Sequence, residues 1–159
     1  MIVVSNTSPI TNLASIGQLE VLRRLHQHVI IAEAVYRELM AEGGQHPGAV
    51  VQSLDWIETR VVTNRLLVTA LRTELDEGEA ETIVLAQELA ADLVLMDERR
   101  GRAAAGRFGL RVLGVLGVLL EARHSGLIPA VKPLLDALRH GGFWIRQELY
   151  DRVLQAAGE

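Results

Sequence analysis

Cysteine is absent from this sequence. That excludes disulfide staples and thiolate metal sites, and it agrees with a cytoplasmic setting. Aromatic residues are scarce, at 4%, so Leu, Val, Ala and Ile have to build the core. No apolar run approaches the roughly 18 residues of a membrane span. The start, Met-Ile-Val-Val-Ser-Asn, lacks the basic region and long apolar segment of a secretory signal. Walker loops and Gly-x-Gly-x-x-Gly turns are missing, so use of a nucleotide cofactor has no support. The five histidines (26, 28, 46, 124 and 140) show no zinc spacing. Positive charge is not in excess either. A net charge of −4 argues against a protein that coats nucleic acid, but not against an enzyme that grips it with a local patch. Lysine is nearly missing: Lys132 is the only one among sixteen basic residues. The arginines that replace it suit forked phosphate contacts.

What is present is an apolar half (49%) in 159 residues, enough for one domain with a real core. The stretch Asp92-Leu-Val-Leu-Met-Asp97-Glu98 is the organising one. Four apolar residues between acids, after a long helical pattern, read as a buried parallel strand. Asp97 and Glu98 then lie at its carboxyl end, where open α/β sheets place ligands. As plain structure, the same acids would cap the following helix.

Along the chain, strands are expected at 2–5, 29–31, 56–62, 93–96 and 111–113. Helices are expected at 9–16 (Ser8 as N-cap, Pro9 first), 19–25, 34–40 with a stop at Gly43-Gly44, and 47–54. Further helices follow at 65–75 behind an Asn64 cap, 76–91, 98–108, 115–123, 129–138 and 145–157. No linker or repeat interrupts them. Strands alternating with helices point to a parallel sheet covered on both faces.

Polar or acidic groups recur near the mouth of that sheet: Asn6, Glu38, Glu79, and Asp97 with Glu98. Carboxylates converging without basic partners repel unless a cation sits between them, and oxygen-only donors suit Mg2+ or Mn2+. Each has a plainer role: Glu38 as a solvated helix carboxylate, and Asp76, Glu77, Glu79 and Glu81 as an acidic run at a helix N-terminus. Arg99, Arg100, Arg102, Arg107 and Arg111 read equally as an RNA-phosphate rim or as a solvated helix face. Phe143 and Trp144 read as packing of a tail against the body or a second subunit rather than as base stackers.

Four pieces in order, Ser5-Asn6-Thr7-Ser8-Pro9, Val35-Tyr36-Arg37-Glu38-Leu39, Gly78-Glu79-Ala80-Glu81 and Leu95-Met96-Asp97-Glu98-Arg99-Arg100, resemble the PIN-domain ribonucleases. That family includes VapC-like toxins, and the likeness is closest to a short PIN-like subgroup of formerly unknown function. The resemblance implies one Rossmann-like α/β domain over 1–159, with strands ordered 3-2-1-4-5 and helices 129–157 as an extension packed on it. It implies a metal site of Asn6, Glu38, Glu79 and Asp97, with Glu98 as an additional ligand and water rather than a side chain as nucleophile. Arg99, Arg100 and Arg102 would hold RNA. It also implies a cytoplasmic toxin, a small antitoxin protein as partner, and a homodimer, for which the apolar 112–120 stretch and tail helices offer surface. Asn6 departs from the pattern by standing where the family has its first aspartate, which removes one negative charge. A catalytically weak module that binds RNA or protein is therefore the alternative. A phosphotransfer domain ranks below both, because strand one ends in Ser5-Asn6 and Lys132 lies in a late helix.

Overall fold

A computed structural model of the chain describes residues 1–41 and 45–159. Five short strands, β1 (Val3–Ser5), β2 (Val29–Ala32), β3 (Ile57–Arg60), β4 (Leu93–Leu95) and β5 (Val112–Leu113), pair in parallel in the order β3-β2-β1-β4-β5. Alternation along them sends residues to opposite faces. Val3, Val29, Ile31, Leu93 and Leu95 enter one apolar cluster, and Val4, Ile30, Ala32, Val94 and Met96 the other.

The first cluster is closed by α1 (Thr7–Ser15), α2 (Glu20–His26), α3 (Glu33–Met40), a 3-10 helix (Pro47–Ser53) and α7 (Val115–His124). Residues of α8 (Lys132–His140) and α9 (Gln147–Ala156) join it through Leu135, Leu138, Tyr150 and Val153. The second is closed by α4 (Arg65–Leu71), α5 (Glu77–Glu88) and α6 (Arg99–Arg107). The central stretch is buried from Leu93 through Met96, as a strand covered on both sides requires.

Two expectations need correction. The first helix begins two residues early: Asn6 is its N-cap, while Ser8 and Pro9 lie inside the first turn. Pro9 costs nothing there, since the first four N–H groups of a helix have no partner within it. The second concerns 112–120: Val115, Val118 and Leu119 are fully buried, and Leu113, Leu116 and Leu120 pack against the same core. The stretch is thus part core, with Val112, Leu113, Leu116 and Leu120 half-buried at its edge. Helices also begin or end a few residues from expectation, as at Lys132 rather than residue 129. The expected stop at Gly43-Gly44 lies outside the described residues.

Candidate active site

β1 and β4 are neighbours whose connections leave in opposite directions, so a crevice opens at their carboxyl ends. Asn6 follows β1, and the Asn6 N–H donates to the Leu95 carbonyl at 2.9 Å, which ties the two strand ends together. Asparagine is among the best N-caps, yet the Asn6 side chain makes no cap bond. It turns into the crevice, 3% exposed. There Nδ2 donates to Glu98 Oε2 at 3.3 Å, and Oδ1 receives Thr82 Oγ1 at 3.5 Å.

Each acid of the crevice is held by a neighbour. Glu38, on α3, accepts from Thr7 Oγ1. Glu79, on the first turn of α5, forms a capping box with Asp76: the Asp76 N–H donates to Glu79 Oε1 at 3.1 Å, and the Glu79 N–H to Asp76 Oδ1 at 2.8 Å. Asp97 accepts from the Val115 N–H at 2.8 Å, at the open N-terminus of α7, and from Asn12 Nδ2 at 3.4 Å. Glu98 accepts from Ser8 Oγ as well as from Asn6.

Three glycines make room for these carboxylates. A Cβ on Gly78 would run into Glu38, one on Gly101 would stand 2.8 Å from Glu79 Oε2, and one on Gly114 would stand 2.8 Å from Asp97 Oδ1. Space cleared beside three carboxylates is what helix caps alone would not need.

The electrostatics agree. Desolvation holds Glu38 above the usual carboxylate range, opposed by the Thr7 hydrogen bond and reinforced by Asp76 and Glu98. Desolvation raises Glu79 to about 7, again with Asp76 and Glu98 adding repulsion. Asp97 is raised by burial and by Glu98, against the Val115 N–H. Among the described residues no Lys, Arg or His forms a salt bridge with Glu38, Glu79, Asp97 or Glu98, although six other acids are so paired.

Glu98 stands between two halves of the crevice. One hollow, of about 550 Å³, is lined by Asp76, Glu79, Glu98, Arg99 and Arg100; another, of about 450 Å³, by Ser8, Asn12, Asp97, Glu98 and Trp144. Among the described residues no three acidic or histidine groups stand close enough to share one ion directly. Oxygen-only donors, unpaired and resisting ionisation, fit a hard divalent cation that keeps part of its water shell.

Of the three expected RNA contacts, Arg100 donates to the Glu74 carbonyl at 3.1 Å and Arg102 to the Met96 carbonyl at 3.0 Å, and both keep further N–H groups. Arg99 lines hollows on both sides of α6. Arg107 instead pairs with Glu74. Sequence reasoning missed Thr7, Asn12 and Thr82, small polar groups with no pattern of their own. It also missed the separate use of Glu81, two residues from Glu79. Glu81 is 2% exposed, pairs with Arg65 at 2.8 Å and accepts the Ala34 N–H at 3.1 Å, capping α3 from outside because Ala32 has no side chain to do so.

Fold and crevice together define a doubly wound α/β domain with an acidic site at its topological switch point. A family model described as a PIN domain matches residues 2–159, and the chain belongs to that family. PIN domains are usually nucleases that use divalent metal ions, which gives this chain a nuclease-type function in general terms. No curated protein and no solved structure matches the chain.

Proposed function

We propose that the protein is a divalent-metal-dependent endoribonuclease, the toxin of a toxin–antitoxin pair. The observation that carries this reading is the set of four carboxylates, Glu38, Glu79, Asp97 and Glu98, gathered at one end of the sheet with no cationic partner among the described residues. Glu38, Glu79 and Asp97 would hold hydrated Mg2+ or Mn2+, in part through its water shell, with the Asn6 amide oxygen as a weaker donor and Glu98 orienting Asn6 and Ser8 between the two halves. When bound, such an ion stabilises charge on the phosphoryl oxygens and makes a water nucleophilic near neutral pH. The residues themselves exclude bulk water, through Met96 and Thr82 beneath the crevice; hydrogen bonds fix one oxygen each of Glu38 and Glu79 and leave the other available, while Asp97 and Glu98 are held at both oxygens. Arg99, Arg100 and Arg102 would take the RNA phosphates.

A cytoplasmic setting, a homodimer and a small antitoxin partner belong to the same reading and rest on the family resemblance. Helices 129–157 would be an extension of the domain. Sedimentation at tens of micromolar, roughly where an obligate dimer persists, tests the assembly; a monomer there removes the dimer. The activity is tested with labelled RNA, with and without Mn2+, beside Asp97→Asn. Cleavage that needs the metal and vanishes in Asp97→Asn is expected. Cleavage unaffected by the substitution would belong to a contaminant and end the reading.

A second reading, a PIN-like module that binds RNA or protein without cutting, is favoured by Asn6. Its amide supplies no charge and is engaged with Glu98 and Thr82.

A further inference from the structure

We propose that Trp144 is a stacking platform for an unpaired base of single-stranded RNA, placed so that the adjoining backbone crosses Asp97. The proposal rests on the nucleic-acid reading of the crevice and adds to it a subsite on the C-terminal segment.

Trp144 is 79% exposed, whereas the other tryptophan, Trp56, is 8% exposed. An indole left in water on a well-anchored chain calls for an explanation, and the anchoring here is strong. Helix α8 ends in a Schellman turn: the Phe143 N–H donates to the Leu138 carbonyl at 2.9 Å and the Gly142 N–H to the Arg139 carbonyl at 3.0 Å. Gly142 takes the φ of +101° that the turn needs. Phe143 packs on the core, Ile145 is buried, and the Ile145 carbonyl accepts from Arg139 Nη2 at 3.0 Å. Trp144 is thus held out between two fixed neighbours, so little ordering is lost when a ring stacks on it.

Its surroundings select the occupant. A hollow of about 590 Å³ between Trp144 and Asp97 is lined by Arg99, Arg102, Arg146 and Leu149. None of these three arginines forms a salt bridge among the described residues. On its other side Trp144 borders Arg139, Arg146 and Glu148. An aromatic face ringed by guanidinium groups that keep N–H donors to spare is the arrangement that takes a base on the ring and phosphates on the rim. Asp97 borders three hollows that Trp144 also lines, so a strand seated on the ring continues into the acidic crevice. In a duplex both faces of each base are already covered, so the platform selects unpaired RNA.

The test uses the whole chain in metal-free buffer, with an oligoribonucleotide of about eight nucleotides, within the usual single-strand site size, and its duplex. Acrylamide quenching separates exposed Trp144 from buried Trp56. The single strand should shield Trp144 and the duplex should not. Trp144→Ala should weaken single-strand binding about 5- to 150-fold, the span of base–aromatic stacking, while Trp144→Phe keeps most of the affinity. Equal binding by Trp144→Ala, with Trp144 still open to acrylamide, overturns the subsite. So does a Trp144 already shielded in the free protein at high concentration, which assigns it to contact between copies. Metal-dependent cleavage by the unaltered protein is measured in parallel. Cleavage without shielding leaves the nuclease reading standing and removes the platform; shielding without cleavage does the reverse.

Discussion

Glu79 combines two tasks that usually fall to different side chains. Its Oε1 closes the capping box of α5, while Oε2 faces the gap left by Gly101. Desolvation raises its pKa from 4.5 to about 7, so between those values the folded protein binds a proton that the unfolded chain has released. Linkage then makes the metal-free protein lose stability as pH climbs from about 4.5 through about 7. Glu79→Gln keeps the capping geometry, because glutamine serves at that position, and removes the titration. In melting curves without metal the variant should gain on the parent as pH rises from about 5 to about 8, and Mn2+ should restore the parent alone. A difference between the two that ignores pH would remove Glu79 from the unpaired acidic set. Asn6 poses the complementary case. Asn6→Asp adds a fifth carboxylate to the crevice at a buried position beside Glu98, so the metal-free variant should melt lower. Its Mn2+-dependent shift should be larger than the parent's, and RNA cleavage should rise with it. An unchanged shift with no cleavage at any metal concentration would mean that Asn6 serves only the start of α1.

Helix α6 shows how one element carries both packing and site. Gly101 is buried against Met96 and Glu79, while Gly106, on the same helix, has nothing within 4 Å of where a Cβ would stand. Gly106→Ala should stabilise by about 0.5–1 kcal/mol, the usual helix-interior difference. Gly101→Ala should cost about 1–3 kcal/mol by overpacking against the Met96 sulfur, and should also shrink the Mn2+-dependent melting shift by pushing Glu79 aside. Denaturation curves with and without Mn2+ read both effects, and matching behaviour of the two variants would show that Gly101 clears no space for the site. Elements of this kind were largely legible in the sequence. Leu93–Met96 announced a buried strand because four apolar residues between acids have few other uses, and Asn64 caps α4 as expected. The β1–α1 junction was less legible, since Asn6, Thr7 and Ser8 are all good caps and Pro9 is tolerated anywhere in the first turn. Only the crevice decides that Asn6 begins the helix while its side chain looks elsewhere. Likewise Glu79 and Glu81 are equivalent by pattern. Which one faces the site and which one braces α3 depends on where Ala34 and Arg65 lie, and no local spacing encodes that.

At the scale of the whole molecule the net charge of −4 conceals a division of sign. Acids crowd the crevice at the ends of β1 and β4, and arginines without a salt bridge stand on its rim at Arg99 and Arg146, with Arg100 and Arg102 each engaged through one nitrogen. Among the described residues the large apolar side chains left exposed are few, Met1, Ile2, Val50, Val61, Leu66 and Trp144, so electrostatics should govern how RNA arrives. Without a divalent ion the acids oppose the phosphates; with one, the rim acts unopposed. Binding of a cleavage-resistant single-stranded 2′-O-methyl oligoribonucleotide to the unaltered protein should therefore strengthen on adding Mg2+. It should also weaken steeply with salt, because each neutralised phosphate releases counterions at a slope of about −0.7 in log–log form for single strands. Four rim arginines give a slope of about −3. Arg146→Ala should reduce its magnitude by about 0.7, whereas replacing Arg152, midway along α9 and on none of these hollows, should leave it unchanged. Titrations across about 50 to 200 mM NaCl measure this directly. A slope near zero, or equal losses from Arg146→Ala and Arg152→Ala, would mean that RNA does not follow the rim past Trp144 into the crevice.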